Sequence, residues 1–307
     1  MSCVSLRAAP LLAAVLAFVL VLSAAPLARA DDAGAYYRQG MAFKNQGKDD
    51  DAIAAFEKAT AADPRHGMAW ASLGHLYKKK KDYEKSVAAY EKATSLISKD
   101  AVLWSNLGMA YYRAGRIDNA VAALEKASRL SPKDAEIQAN LGTIKRQKGD
   151  AKAAIVHLEL AVKYAPSEPT YHNNLGVAYR AADRLPDAVK AFEKALALAP
   201  NDAEYHFNTA VVYRRLEEVD KAIVHYEKAV SLVPDMADAW YDLGHMYRLN
   251  HDEQKAIEAF NTYLELTKGK DPEAQKRAEG EIEALGGTPV TKAKEKGKGK
   301  APKKKPK

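Results

Sequence analysis

Residues 101–134 read AVLWSNLGMAYYRAGRIDNAVAALEKASRLSPKD, and altered versions of this stretch fill residues 33–270 without a gap. The period is 34 residues in all seven copies. Self-similarity at a fixed period of this length is the sequence signature of a solenoid, because each repeat must bury its apolar face against the next one.

Small and large residues recur at fixed positions of the repeat. The eighth position is small in every copy: Gly40, Gly74, Gly108, Gly142, Gly176, Ala210 and Gly244. The twenty-fourth position is aromatic or leucine: Phe56, Tyr90, Leu124, Leu158, Phe192, Tyr226 and Phe260. Small residues allow two helices to approach closely, and large ones fill the space between them.

Each repeat reads as two helices joined by a short turn. Trp104, Leu107 and Tyr111 share one face of a first helix, because they are spaced three and four residues apart. Glycines at the end of the first helix predict left-handed C-caps: Gly47, Gly115 and Gly149. Aspartates predict N-caps of second helices: Asp82, Asp150 and Asp252. Prolines close most second helices: Pro64, Pro132, Pro166, Pro200 and Pro234.

These residues resemble the tetratricopeptide repeat (TPR) family. The third repeat carries the family pattern in full: Trp104, Leu107, Gly108, Tyr111, Ala120, Leu124, Ala127 and Pro132. The resemblance implies an all-α fold, a right-handed α-solenoid (superhelix) of helix-turn-helix units. Its seven repeats would span 33–66, 67–100, 101–134, 135–168, 169–202, 203–236 and 237–270.

The two ends of the chain differ from the repeats. Residues 1–30 contain Arg7, an apolar stretch and an Ala28-Arg29-Ala30 site, which predict a cleaved signal peptide; the alternative is an uncleaved membrane anchor. Cleavage would remove Cys3, the only cysteine. Export is therefore expected, to the periplasm or cell envelope if the source is bacterial.

The net charge of +7 is unevenly distributed along the chain. Residues 292–307 carry +8 and the signal carries +2, which leaves −3 for residues 31–291. Residues 271–286 predict a helix that caps the last repeat. Residues 287–307 are lysine-rich with few apolar side chains, which predicts disorder. This tail is either solvated or contacts an anionic surface, and nucleic acid is not expected to be its partner in an exported protein.

The family resemblance implies that six positions of each first helix line a concave groove. Asparagine recurs at the sixth position: Asn106, Asn140, Asn174 and Asn208. An amide can donate and accept, so this ladder predicts binding of an extended peptide backbone. The alternative is that these amides are solvated or bridge neighbouring helices.

A basic stripe occupies the twelfth position: Lys44, Lys78, Tyr112 (followed by Arg113), Arg146, Arg180, Arg214 and Arg248. This stripe predicts contacts with acidic side chains or a terminal carboxylate. The alternative is local pairing with acids four residues on: Lys78 with Asp82, Arg146 with Asp150, Arg214 with Glu218, and Arg248 with Asp252.

The apolar groove candidates form either pockets for ligand side chains or packing between repeats: Tyr37, Met109, Tyr112, Val177, Phe207, Val211 and Tyr241.

No motif for catalysis, metal binding or a cofactor is present, so an enzyme is not expected. The sequence thus favours a non-enzymatic scaffold that binds a peptide or protein partner in the groove. The alternative is a structural component of a cell-envelope complex that uses the convex face or the array ends.

The signal prediction fixes the N-terminus of the mature protein. Edman sequencing of protein purified from its native host should begin at Asp31, because cleavage follows Ala30. Detection of peptides from residues 1–30 in the mature protein would contradict cleavage and favour the anchor.

Overall fold

The computed structural model describes residues 25–292, with side chains from Asp32 onward, and this part of the chain contains fifteen α-helices and no strand. The helices α1–α15 are, in chain order, Ala25–Asn45, Asp49–Ala62, Gly67–Lys79, Tyr83–Leu96, Ala101–Arg113, Ile117–Leu130, Ala135–Gln147, Ala151–Tyr164, Pro169–Ala181, Leu185–Leu198, Ala203–Arg215, Val219–Leu232, Ala237–Leu249, Glu253–Leu266 and Pro272–Ala284.

Two compact units divide the described residues, one that ends at Pro132 and one that begins at Lys133. In the first unit, helices pair as α1–α2, α3–α4 and α5–α6. In the second unit, the pairs are α7–α8, α9–α10, α11–α12 and α13–α14, and α15 packs on α14. Within each unit, the second helix of a pair also contacts the first helix of the next pair. The prediction of an all-α array of helix-turn-helix units is confirmed.

The small eighth position allows each first helix to touch the large residue at the twenty-fourth position. A Cβ placed on Gly176 would lie 2.7 Å from the ring of Phe192, and one on Gly74 would lie 2.8 Å from the ring of Tyr90. Real Cβ atoms do not approach so closely, so the large side chain at the twenty-fourth position sterically requires a small residue at the eighth. Both rings are fully buried.

The turn within each repeat needs a residue in the left-handed region. Gly47, Gly115 and Gly149 occupy it with φ between 74° and 89°, which confirms the predicted C-caps. The other four repeats place a residue with a side chain there, at φ near 60°: Lys81, Asp183, Glu217 and His251. These four positions were not predicted, because only glycine was used as the signal for this conformation and residues with a side chain adopt it less often.

Aspartates begin the second helices where they were predicted. Asp82, Asp150 and Asp252 each accept a hydrogen bond from the backbone N–H three residues on. Asp100, Asp134 and Asp202 cap first helices in the same way. An N-cap of this kind contributes about 1 kcal/mol, so the caps fix where each helix starts.

Two recurring hydrogen bonds join one repeat to the next. A tyrosine hydroxyl at the eleventh position donates to a glutamate of the preceding second helix in five places: Tyr77 to Glu57, Tyr111 to Glu91, Tyr179 to Glu159, Tyr213 to Glu193 and Tyr247 to Glu227. The ring nitrogen at the fourth position bonds a carbonyl six residues earlier: Trp70 to Pro64, Trp104 to Ser98, His172 to Pro166, His206 to Pro200 and Trp240 to Pro234.

The last repeat is covered by α15, whose Ala274, Ala278 and Ile282 are buried. Residues 287–292 also contact the end of the array, although disorder was predicted from residue 287 onward. The backbone N–H of Val290 donates to Asn261, and Lys292 pairs with Glu283 at 2.6 Å. Val290 is half-buried against the core, which offsets the entropy of ordering this segment. The remaining lysine-rich tail, 293–307, lies outside the described residues.

The predicted signal peptide lies mostly outside the described residues, and its last six residues, 25–30, belong to α1. Among residues 25–292, no helix is long and apolar enough to cross a membrane.

Two glycines of the second unit test the close helix contact. In Gly142→Ala, the new Cβ would lie 2.7 Å from Leu158 Cγ and 3.0 Å from the Ala154 carbonyl, so we expect a loss of about 1–3 kcal/mol in unfolding free energy. In Gly280→Ala, nothing lies within 4 Å of the Cβ. There the better helix propensity of alanine should stabilise α15 by up to about 1 kcal/mol. Urea unfolding followed by circular dichroism measures both, and equal effects would contradict the steric account.

Candidate functional site

Within each unit, the asparagine and basic positions of successive first helices are joined by hydrogen bonds. In the first unit, Lys78 Nζ on α3 donates to Asn106 Oδ1 on α5 over 3.3 Å. In the second unit, Arg180 on α9 donates to Asn208 Oδ1 on α11 over 3.4 Å. In both contacts a cation at the twelfth position reaches the sixth position of the next first helix, 28 residues later.

The same pairing continues to the C-terminal end with acids in place of amides. Arg214 donates to Asp242 Oδ1 over 3.3 Å, and Arg248 donates to Glu281 on α15 over 2.5 Å. The expected local pairs are therefore wrong for these two arginines. Glu218 instead pairs with Lys221, and Asp252 with Lys255, because each lysine lies three residues after the acid, within the first turn of the helix.

Asn208 bridges neighbouring helices, which is one of the alternatives that the sequence left open for this position. Its Nδ2 donates to Asn173 Oδ1 over 3.1 Å while its Oδ1 accepts from Arg180, and the residue is 7% exposed. The amide therefore holds the Arg180 guanidinium in place. Asn140 and Asn174 occupy the same position on α7 and α9 and are half-buried.

Arg180 lies among other cations. Burial lowers the pKa of its guanidinium, and the nearby charges of Arg146, Arg215 and Arg214 lower it further. Its neighbour Arg215 is neutralised by Asp183 and also donates to the Arg180 carbonyl. A guanidinium has five N–H donors, and the bond to Asn208 uses one of them. This part of the second unit is thus suited to an anionic ligand.

A smaller basic cluster lies in the first unit. The pKa of His75 on α3 is lowered by burial and by the charges of Lys44, Lys78 and Lys79. Lys44 and Lys78 are half-buried. Half-buried Tyr112 lies under the guanidinium of exposed Arg113, which is 5.8 Å from the ring centre.

The aromatic candidates of the second unit contribute to packing. Phe207 meets the buried Tyr226 ring edge-on at 5.8 Å. Tyr241 lies 5.7 Å from Phe260 and 4.9 Å from Tyr263. Both Phe207 and Tyr241 remain half-buried, so each presents part of its ring to the surface.

The histidines at the fourth position take the place of tryptophan. His172 and His206 keep the ring hydrogen bond to the preceding turn that the tryptophans make. His206 Nδ1 also lies 3.0 Å from His225 Nδ1, and burial together with His206 lowers the pKa of His225 to about 4. Within residues 25–292, no cluster of three or more His, Cys, Asp or Glu side chains is placed to hold a metal.

Comparison with known proteins identifies the class of this array. A family model described as the cilia and flagella-associated protein 70 C-terminal domain, a TPR model, matches residues 11–235. A second model, described as tetratricopeptide repeat, matches residues 207–274. The chain therefore belongs to the TPR proteins, in the family of that C-terminal domain. No curated protein sequence matches the chain.

Solved structures with the same architecture include bacterial repeat proteins. A structure of MamA is 27% identical with a TM-score of 0.51, covering 53% of this chain and 96% of MamA. The C-terminal part of a TPR protein from Cytophaga hutchinsonii is 19% identical with a TM-score of 0.63, covering 78% and 98%. YrrB, described as a TPR protein with an unusual peptide-binding site, is 24% identical with a TM-score of 0.52, covering 60% and 95%.

Replacement of Asn208 by alanine should destabilise the second unit. The change removes the donor to Asn173 Oδ1, whose residue is 4% exposed, so we expect a loss of about 1–3 kcal/mol in unfolding free energy. Asn119→Ala on the exposed surface of α6 is the control, with an expected change within about 0.5 kcal/mol. Urea unfolding measures both, and equal stability of the two variants would mean that the Asn208 network contributes nothing.

Proposed function

We propose that this protein is a non-enzymatic interaction scaffold that binds an extended peptide segment of a partner protein along its first helices. The observation that carries the proposal is the setting of Arg180. This guanidinium is half-buried, and the charges that act on it come mainly from other arginines. A neutral amide holds it in position. An array that needed Arg180 only for folding would gain more from a carboxylate at Asn208, as it has at Asp242.

Two neighbouring groups support a peptide as the ligand. Asn140 and Asn174 are half-buried at the position where Asn208 is buried, so their amides remain the candidates for contact with a peptide backbone. Each such bond contributes about 0.5–1.5 kcal/mol, so binding requires several contacts along the line.

The family and fold support the same class of function. TPR arrays are extended stacks of helix pairs, which offer long surfaces for partner binding. YrrB is described as having a peptide-binding site. Export by the N-terminal segment is part of the proposal, which places the partner outside the cytoplasm.

Site-specific crosslinking tests the proposal in the native host. A photoreactive amino acid in place of Asn174 should capture a discrete partner protein, because this position lies on the proposed binding line. The control carries the same group in place of Lys190, which is exposed on α10. Mass spectrometry identifies the captured proteins. Equal capture from both positions, or capture from Lys190 alone, would contradict binding along the first helices.

A further inference from the structure

Three arginines of the second unit occupy the same position on successive first helices. Arg146 lies near the end of α7, Arg180 near the end of α9 and Arg214 near the end of α11. Helix α9 contacts both α7 and α11 directly. The three side chains therefore lie on neighbouring helices, and the charges of Arg146 and Arg214 add to burial in lowering the pKa of Arg180.

The spacing of this line follows from helix packing. Axes of packed helices lie about 8–10 Å apart, so equivalent positions on adjacent first helices are separated by a similar distance. A polyproline II helix rises 3.1 Å per residue and has three residues per turn. Every third side chain of such a peptide therefore points in the same direction, with successive ones about 9 Å apart.

The positive charges of Arg146, Arg180 and Arg214 favour a ligand with acidic side chains. Guanidinium groups bind carboxylates through two parallel hydrogen bonds. Arg180 has a neutral acceptor in Asn208, so a ligand carboxylate would supply the opposite charge that this amide does not. Arg214 already pairs with Asp242 and would bind a ligand carboxylate less strongly.

We propose that the second unit binds a polyproline II peptide that carries Asp or Glu at every third residue, with successive carboxylates on Arg146, Arg180 and Arg214. This inference rests on the proposed function and adds the chemistry and the register of the peptide. Arg180 is the central contact, because Asn208 and Asn173 hold its guanidinium in place before the ligand arrives. Salt should weaken the binding, because charge attraction is screened.

Three synthetic peptides test the register on the full-length mature protein. The first repeats Glu-Ala-Pro four times; the second has the same composition with its four glutamates consecutive; the third has glutamine for glutamate. Isothermal titration calorimetry at low salt should show at least tenfold tighter binding of the first peptide than of either other one. Equal binding of the first two peptides would overturn the register, and equal binding of the first and third would overturn the acidic preference.

Protein variants test where the acidic peptide binds. The triple variant Arg146→Gln, Arg180→Gln and Arg214→Gln should lose at least tenfold in affinity for the first peptide. The control removes the same charge from three exposed arginines elsewhere, as Arg65→Gln, Arg129→Gln and Arg277→Gln, and should change affinity less than threefold. An equal loss in both variants would mean that net charge alone attracts the peptide, which overturns the inference.

Failure of this inference differs from failure of the proposed function. If crosslinking at Asn174 captures a partner while the three peptides bind equally or none binds, the scaffold role stands and the acidic register is wrong. If Asn174 and Lys190 capture the same proteins and no peptide binds, both proposals are wrong. Circular dichroism melting of the triple variants excludes unfolding as the cause of a lost affinity.

Discussion

The close contact between the eighth and twenty-fourth positions is the constraint on which the array depends. A first helix can lie against its partner only where the side chain at the eighth position is absent or a methyl group, because the ring or leucine opposite fills the space. In the sixth repeat, Ala210 takes this position against Tyr226, and both residues are fully buried. This contact sets the geometry of each helix pair. The tyrosine–glutamate and ring–carbonyl hydrogen bonds then join successive pairs within each unit.

The twelfth position is free to serve the proposed binding, because the contact between the eighth and twenty-fourth positions does not involve it. Cations there extend to the sixth position of the next first helix, where the partner is an amide in the middle of the chain and a carboxylate toward its end. The amide leaves the charge of Arg180 in excess, whereas Asp242 neutralises much of the charge of Arg214. Position along the array therefore controls how available each cation is for a ligand, even though the residues repeat regularly.

The core and the helix ends could be predicted from sequence because they depend on neighbours within one repeat. The caps at Asp82 and Asp150 and the turn at Gly115 follow from local propensity alone. The left-handed residue Lys81 could not be predicted in this way, because a lysine rarely adopts this conformation and nothing local marks the position. The five tyrosine–glutamate hydrogen bonds could have been predicted from the sequence, since a glutamate follows the twenty-fourth position in six repeats.

The residue types of the candidate site could be predicted from the sequence, but the hydrogen bonds between its side chains could not. The asparagine and basic stripes were visible as separate lines, but the bond between Arg180 and Asn208 joins different helices and has no local signal. The burial of Asn208 likewise depends on Asn173 of the preceding repeat. Residues 287–292 were expected to be disordered on composition, and it is the contact of Val290 with the last repeats that orders them.

The central claim is that the arginine line of the second unit is the binding surface for an acidic peptide. The most direct measurement is an NMR titration that follows the Nε–Hε signals of the arginine side chains as the regularly spaced glutamate peptide is added. The account predicts that the signals of Arg146 and Arg180 shift first and most, while those of Arg184, paired with Asp187, and exposed Arg277 stay in place. Shifts confined to other arginines, or of equal size at all of them, would contradict it.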